Sequence, residues 1–257
     1  RSKSATRTRP RRRPSDRPVT WAEYVLIAVA VFAAAGLQSS IGFGMGMLAA
    51  PVIALVDPAL LPASIIILAL LLTTMVTARE RAHLDLKGAG WALVGRIPGS
   101  LLGAWLVVVL PAEGLAWLVA AAVLTGVALA FFGWAPLPGR ANLITAGAAS
   151  GIMGTSTSIG GAPMALIWQG QQGARLRGTM SAFFMVGSAV SLAALAAAGQ
   201  VTAEVLVLTA WMVPAALAGY IVSRYTNRFL NRRRLRLIAL TASGFGAVLL
   251  VGRLLLG

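Results

Sequence analysis

The sequence predicts an all-α membrane protein of about eight transmembrane segments in two inverted-topology repeats, with segments 1 and 5 broken or re-entrant. Three observations carry that expectation. Apolar runs fill most of the chain, charges crowd into the N-terminal tail and a few short links, and a glycine-rich interruption falls within one apolar run of each half. Of 257 residues, 58% are hydrophobic and 11% charged, and the mean hydropathy is +0.82. A water-soluble domain needs more polar surface than that. A bilayer core about 30 Å thick takes roughly 20 apolar residues per helical span, and spans of that length leave no room for a separate soluble domain.

Residues 1–20 form a basic tail rich in Ser, Thr and Pro, which reads as disordered. It holds eight of the 22 basic residues: Arg1, Lys3, Arg7, Arg9, Arg11, Arg12, Arg13 and Arg17. The net charge of +15 suggests nucleic acid at first sight. A tail joined directly to a membrane span is better read as a cytoplasmic arm resting on anionic lipid headgroups, with no nucleic-acid partner. The tail and the apolar stretch after it imitate a signal peptide, with Ala33, Ala34 and Ala35 as small residues, but only further spans follow, so cleavage is not expected.

Segment 1 covers 21–56 and is too long for one helix. Segments 2, 3 and 4 cover 60–78, 89–110 and 115–132. Segment 5, at 141–168, is broken like segment 1, and segments 6, 7 and 8 cover 178–198, 203–222 and 235–256. Turn residues mark the links, as in Asp57-Pro58, Pro111-Ala112-Glu113-Gly114 and Pro136-Leu137-Pro138-Gly139. The tail, the Arg79–Lys87 link and the Arg224–Arg236 link are expected on the cytoplasmic side, because basic links stay inside. The links at Asp57-Pro58, 111–114 and 199–204 lack Lys and Arg and suit the outer side.

The chain repeats itself at an offset of roughly 115–120 residues. Pro98-Gly99-Ser100-Leu101-Leu102-Gly103-Ala104 parallels Pro214-Ala215-Ala216-Leu217-Ala218-Gly219-Tyr220, and Gly126-Val127-Ala128-Leu129 parallels Gly246-Ala247-Val248-Leu249. This divides the membrane region into repeats at 21–134 and 135–257. Basic links fall at different places in the two copies, which marks inversion. Inversion needs an odd number of crossings per half, so one broken segment must re-enter rather than cross; the residues do not say which.

The first break carries Gln38, Ser39, Ser40, Gly42, Gly44 and Gly46, then Pro51. The second carries Thr155, Ser156, Thr157, Ser158, Gly160 and Gly161, then Pro163. Glycine frees the backbone and proline removes a donor, so neither stretch suits a continuous helix. Irregular backbone at membrane depth persists only inside protein or beside a wet cavity, and matched interruptions point to a transport site. A half-helix beginning after the break aims unpaired N–H groups inward. The hydroxyls and the Gln38 amide add uncharged donors, a set suited to a small anion. Tight helix packing through small residues is the structural alternative.

Arg96 lies within segment 3. An intramembrane arginine is either a fixed positive charge for an anion or a side chain snorkelling to the interface. No Asp or Glu falls at mid-span, so no buried proton relay or carboxylate sodium site is visible. The chain has no cysteine, and its one histidine, His83, sits among charged link residues, so neither metal nor cofactor is expected. No histidine, carboxylate or lysine accompanies the serines within a span, which argues against an enzyme.

The two glycine-rich breaks ending in proline, one per half, and the duplicated plan resemble the TauE/SafE family, also called the 4-toluene sulfonate uptake permease family. The resemblance runs from about residue 21 to the end. The sequence departs from the family at Thr155-Ser156-Thr157-Ser158, where glycines are commoner, and the tail is extra. Membership implies a multi-pass transporter of the bacterial inner membrane that carries sulfite, a sulfonate or a related small sulfur anion. With no coupling carboxylate in view, export driven by the membrane potential is the expected mechanism: an anion leaving a negative interior gains about 2.3 kcal/mol per charge per 100 mV. Import of the same anions, or carriage of another small organic anion, is the alternative.

Overall fold

A computed structural model describes residues 20–132, 137–168, 170–171 and 173–226, with single positions at 241, 248, 251, 252 and 255. The tail and nearly all of segment 8 lie outside the described residues. Every regular element is helical: α1 Trp21–Ile41, α2 Met45–Val56, α3 Ala63–Arg79, α4 Leu86–Val109, α5 Ala112–Phe132, α6 Arg140–Thr157, α7 Gly161–Ile167, α8 Gly173–Ala197 and α9 Ala203–Thr226. Thr20 opens α1 with a capping box, its hydroxyl accepting from Glu23 N–H while Glu23 accepts from Thr20 N–H. Asp85 opens α4 by accepting from Gly88 N–H at 3.0 Å. Among the described residues, α1, α4, α8 and α9 are long and apolar enough to cross a membrane.

The packing suits lipid rather than water. Helix α4 buries Gly95, Gly99, Ser100 and Gly103 and exposes Val94, Leu101, Trp105 and Val108. Large apolar side chains face outward, and small residues let backbones touch inside. A side chain at Gly95, Gly99 or Gly103 would strike the carbonyls of Ile144, Ala148 and Ile152 of α6; Gly147 and Gly151 meet those of Ala92 and Arg96. Successive glycines meet successive carbonyls in the same order, so α4 and α6 run parallel. Gly219 of α9 packs on the Phe32 carbonyl of α1 in the same way.

These contacts orient the helices. The starts of α4 and α8 lie together, with Asp85 N–H donating to Thr179 Oγ1 at 2.9 Å. The end of α3 joins them, because Glu80 pairs with Arg177 at 2.7 Å. Arg140, at the start of α6, stacks on Trp91 near the start of α4, 5.0 Å from the ring centroid. At the opposite end, Tyr24 and Ile27 of α1 share a cavity wall with Leu60, Ser64, Ile53 and Leu208. Asp57, Leu115 and Gln200 line another cavity there.

Segments 1 and 5 therefore both turn back, where the sequence led one to expect only one of them to re-enter. Helix α1 starts at the Asp57 end, reaches Arg177 and Met180 at Gly42, and α2 returns to Asp57. Helix α6 starts at the Arg177 end, and α7 returns there to pack Ile167 and Trp168 near Leu143. Thr20 and Trp21 lie at the end opposite Arg79, so the start of α1 does not share an end with the Arg79–Lys87 link as the charge pattern led one to expect; the tail itself lies outside the described residues. The charge rule treats each basic stretch as if a full span separated links, and a segment that folds back reverses that parity.

Candidate functional site

Each hairpin turn is set by residues that tolerate left-handed backbone. Gly42 has φ +90°, Gly44 φ +118° and Ser158 φ +64°. Gly42 N–H donates to the Gln38 carbonyl at 2.7 Å, and Met45 N–H, the first of α2, donates to Gln38 Oε1 at 3.0 Å. Gln38 thus closes α1 with its backbone and caps α2 with its side chain. The N–H groups of Gly46 and Met47 follow in the first turn of α2, where a helix has no internal acceptor for them.

The two turns pass against each other. A Cβ on Gly46 would overlap the carbonyl oxygen of Ser158 and crowd Ile159 N. Ser158 in turn donates its hydroxyl to the Pro62 carbonyl at 3.0 Å. Between the turns lies a cavity of about 40 Å³, lined by Gln38, Gly44, Gly46, Arg96, Ser158, Gly160 and Gly161, with Phe43, Met45, Met47, Ile65, Ile66 and Phe184 as apolar walls. At about 10–15 Å³ per water, that is room for a few waters or one small oxyanion.

Arg96 turns inward and is 2% exposed, so it does not snorkel. Its Nη1 donates to the Ser150 carbonyl at 2.6 Å and to Ser150 Oγ at 2.7 Å. Ser150 Oγ donates onward to the Gly160 carbonyl at 2.6 Å, tying the arginine to the second turn. The guanidinium carbon sits 5.4 Å from the Phe183 ring centroid and 5.3 Å from that of Phe184, within cation–π range. Gly154, Gly160 and Gly187 leave the space it occupies. Its Nε has no hydrogen-bond partner among the described residues.

No carboxylate approaches this cation among the described residues. Glu80 pairs with Arg79 and Arg177, and Asp85 lies near Arg175. Asp57 caps Ala59 N–H, Glu23 belongs to the capping box, and Glu113 and Glu204 occupy the first turns of α5 and α9. The remaining one, Asp16, is outside the described residues. Burial raises the Glu80 pKa, but the hydrogen bond and charge of Arg177, then Arg79, outweigh it and hold the carboxyl below its ordinary value.

The residues singled out from sequence divide into two groups. Gln38, Gly44, Gly46, Arg96, Ser158, Gly160 and Gly161 meet at the cavity. Ser39, Ser40, Gly42, Thr155, Ser156 and Thr157 do not line it. Ser40, Ser156 and Thr157 donate to the carbonyls four residues back, each at 2.6 Å. Thr155 bonds Ser191 at 2.6 Å, Gly42 packs on α8, and the Ser39 hydroxyl is buried without a partner. Ser150, Gly154, Phe184 and Ser188 join the site without having been singled out. The signal for Ser150 was its place one turn before the break.

A larger cavity of about 410 Å³ opens at the Asp57 end, lined by Asp57, Pro62, Ser156, Gln200, Thr202 and Glu204 among others. The Ser158–Pro62 hydrogen bond stands between it and the smaller one.

Apolar crossing helices and two interrupted segments facing a buried cation define a multi-pass membrane protein of the transport class. The family model described as sulfite exporter TauE/SafE matches residues 26–250, and the chain belongs to the TauE/SafE family. Members are membrane anion exporters rather than enzymes. No curated protein and no solved structure matches the chain.

Proposed function

We propose that this protein exports a small sulfur oxyanion such as sulfite by alternating access at the cavity between its two hairpin turns. The observation that carries the reading is Arg96: a buried guanidinium with no carboxylate partner among the described residues, one nitrogen unbonded, beside the N-terminal turn of α2. A buried charge is costly unless it is compensated, and a bound anion supplies the compensation. The helix N-terminus adds partial positive charge and N–H donors.

The two halves, 21–134 and 135–257, are read as an inverted repeat. Each begins with a hairpin, one entering from either end, and each then crosses three times if 235–256 spans as its sequence suggests. Each hairpin turn approaches the far face, Gly42 at Arg177 and Ser158 at Pro62. Parting one contact while holding the other would open the cavity to one side at a time. The helix ends and links that carry Arg79, Arg81, Lys87, Arg140, Arg175 and Arg177 face the cytoplasm of a bacterial inner membrane on this reading. The tail then leaves on the outer face, where anionic headgroups remain its partner.

The test is uptake of radiolabelled sulfite into proteoliposomes holding the purified chain, with potentials of either sign imposed. Saturable flux that follows the potential without a pH or sodium gradient is expected. Folded protein giving no flux above empty liposomes sinks the proposal.

A further inference from the structure

We infer that the cavity accepts its oxyanion only in the singly charged form, hydrogensulfite rather than the sulfite dianion. The inference rests on the transport reading above and adds the charge state of the cargo. Among the described residues, Arg96 is the one ionised side chain on the cavity wall; every other lining residue is uncharged.

Among the described residues, the elements packed round the arginine bring no second charge to it. Helix α6 offers Ser150 and Gly154, α7 begins at Gly161, and α8 presents Phe183, Phe184, Gly187 and Ser188. Helix α1 contributes Gln38, α2 contributes Met45, Gly46 and Met47, and α3 contributes Ile65, Ile66 and Ala69. None of these titrates. His83, Lys87, Glu80 and Asp85 stand at the α4 and α8 starts, and Asp57, Glu113 and Glu204 at the opposite end.

Charge matching then decides between the two ions. One guanidinium cancels one negative charge, and the pair is net neutral in an apolar wall. A dianion leaves a full negative charge buried against Phe43, Phe184, Ile65 and Ile66, which is strongly disfavoured. The N-terminus of α2 supplies only about half a charge, and that within its first turn. Sulfite takes up its proton near neutral pH, so both forms are present in a cell and the site selects between them. Each cycle then moves one charge and carries a proton with the sulfur, without any titrating carboxylate in the protein.

The experiment uses the full chain in proteoliposomes at fixed potential, with equal pH on both sides, stepped from about pH 6 to about pH 9. Sulfite is compared with chlorate, which has the same pyramidal XO3 shape and stays singly charged throughout. Labelled flux and electrical current are read together. Sulfite flux should fall about tenfold per pH unit once the monoanion is the minor form. Chlorate flux should stay level, and one charge should move per sulfur at every pH. Sulfite flux that persists through the alkaline arm with two charges per sulfur overturns the inference and leaves sulfite transport standing. Parallel decline of both ions also overturns it, because the titration would then belong to the protein. Absence of flux for both ions at every pH overturns the transport reading itself.

Discussion

Gly46 of the first hairpin and Ser158 of the second meet backbone to backbone, so closely that no side chain fits between them. Two segments more than a hundred residues apart in sequence thus share one contact beside the cavity. Gly46→Ala should force them apart. Overpacking of this kind costs about 1–3 kcal/mol, and the obstacle here is backbone, which cannot rotate away. Thermal unfolding in detergent should move down and sulfite flux should fall. Gly90→Ala, where a Cβ meets nothing within 4 Å, should leave both unchanged or raise stability slightly.

Ser150 links the buried cation to the second turn, accepting from Arg96 and donating to Gly160. Ser150→Ala leaves the Gly160 carbonyl short of a donor, a loss of about 1–3 kcal/mol. The consequence should fall on anion affinity, with KM rising about tenfold for each 1.4 kcal/mol. Arg96→Gln should abolish flux in protein that still purifies as a folded species. Arg96→Lys should restore only part of it, because a lysine keeps the charge but loses the planar group that lies against Phe183 and Phe184. Wild-type flux in both Arg96 variants would remove Arg96 from the site.

How much of this was legible depended on the physics each residue obeys. Apolar length and the paired breaks were visible because both are local in sequence. The hydroxyls of Ser40, Ser156 and Thr157 invited a ligand role, yet in an apolar helix the nearest acceptor is the carbonyl one turn back, and they take it. Arg96 was ambiguous because the glycines that make room for it, Gly154 and Gly160 in segment 5 and Gly187 in α8, lie on two other stretches of chain. The start of α1 was expected at the same end as the Arg79–Lys87 link because α1 has the length of an ordinary span. Only its contacts with α3, α8 and α9 reveal that α2 carries the chain back.

Glu80 ties α3 to α8 through Arg177. Its pKa lies below the ordinary 4.5, so its share of stability is present above that value and is lost as pH falls through the lowered folded value. The detergent melting temperature of the wild type should therefore drop on the acid side of 4.5. Glu80→Gln should be less stable at neutral pH, with Arg79 and Arg177 left unpaired, and should show a smaller acid drop. An acid limb unchanged in the variant would assign it to another carboxylate.

The tail and the Arg79–Lys87 link should open to opposite sides of the membrane, and the chain makes this simple to check because it contains no cysteine. Thr20→Cys places a thiol at the cap of α1, and His83→Cys places one in the turn after α3. Intact cells treated with a membrane-impermeant maleimide should label one of the two, and disrupted cells both. With the basic links inside, the thiol at position 20 is the one expected to react from outside. Labelling of position 83 alone would keep the hairpin and invert the whole molecule, putting the short basic links outside against their charge. Labelling of both or neither in intact cells, with both reactive after disruption, would contradict the fold-back of segment 1, because only a complete crossing in place of the hairpin puts the two positions on one side.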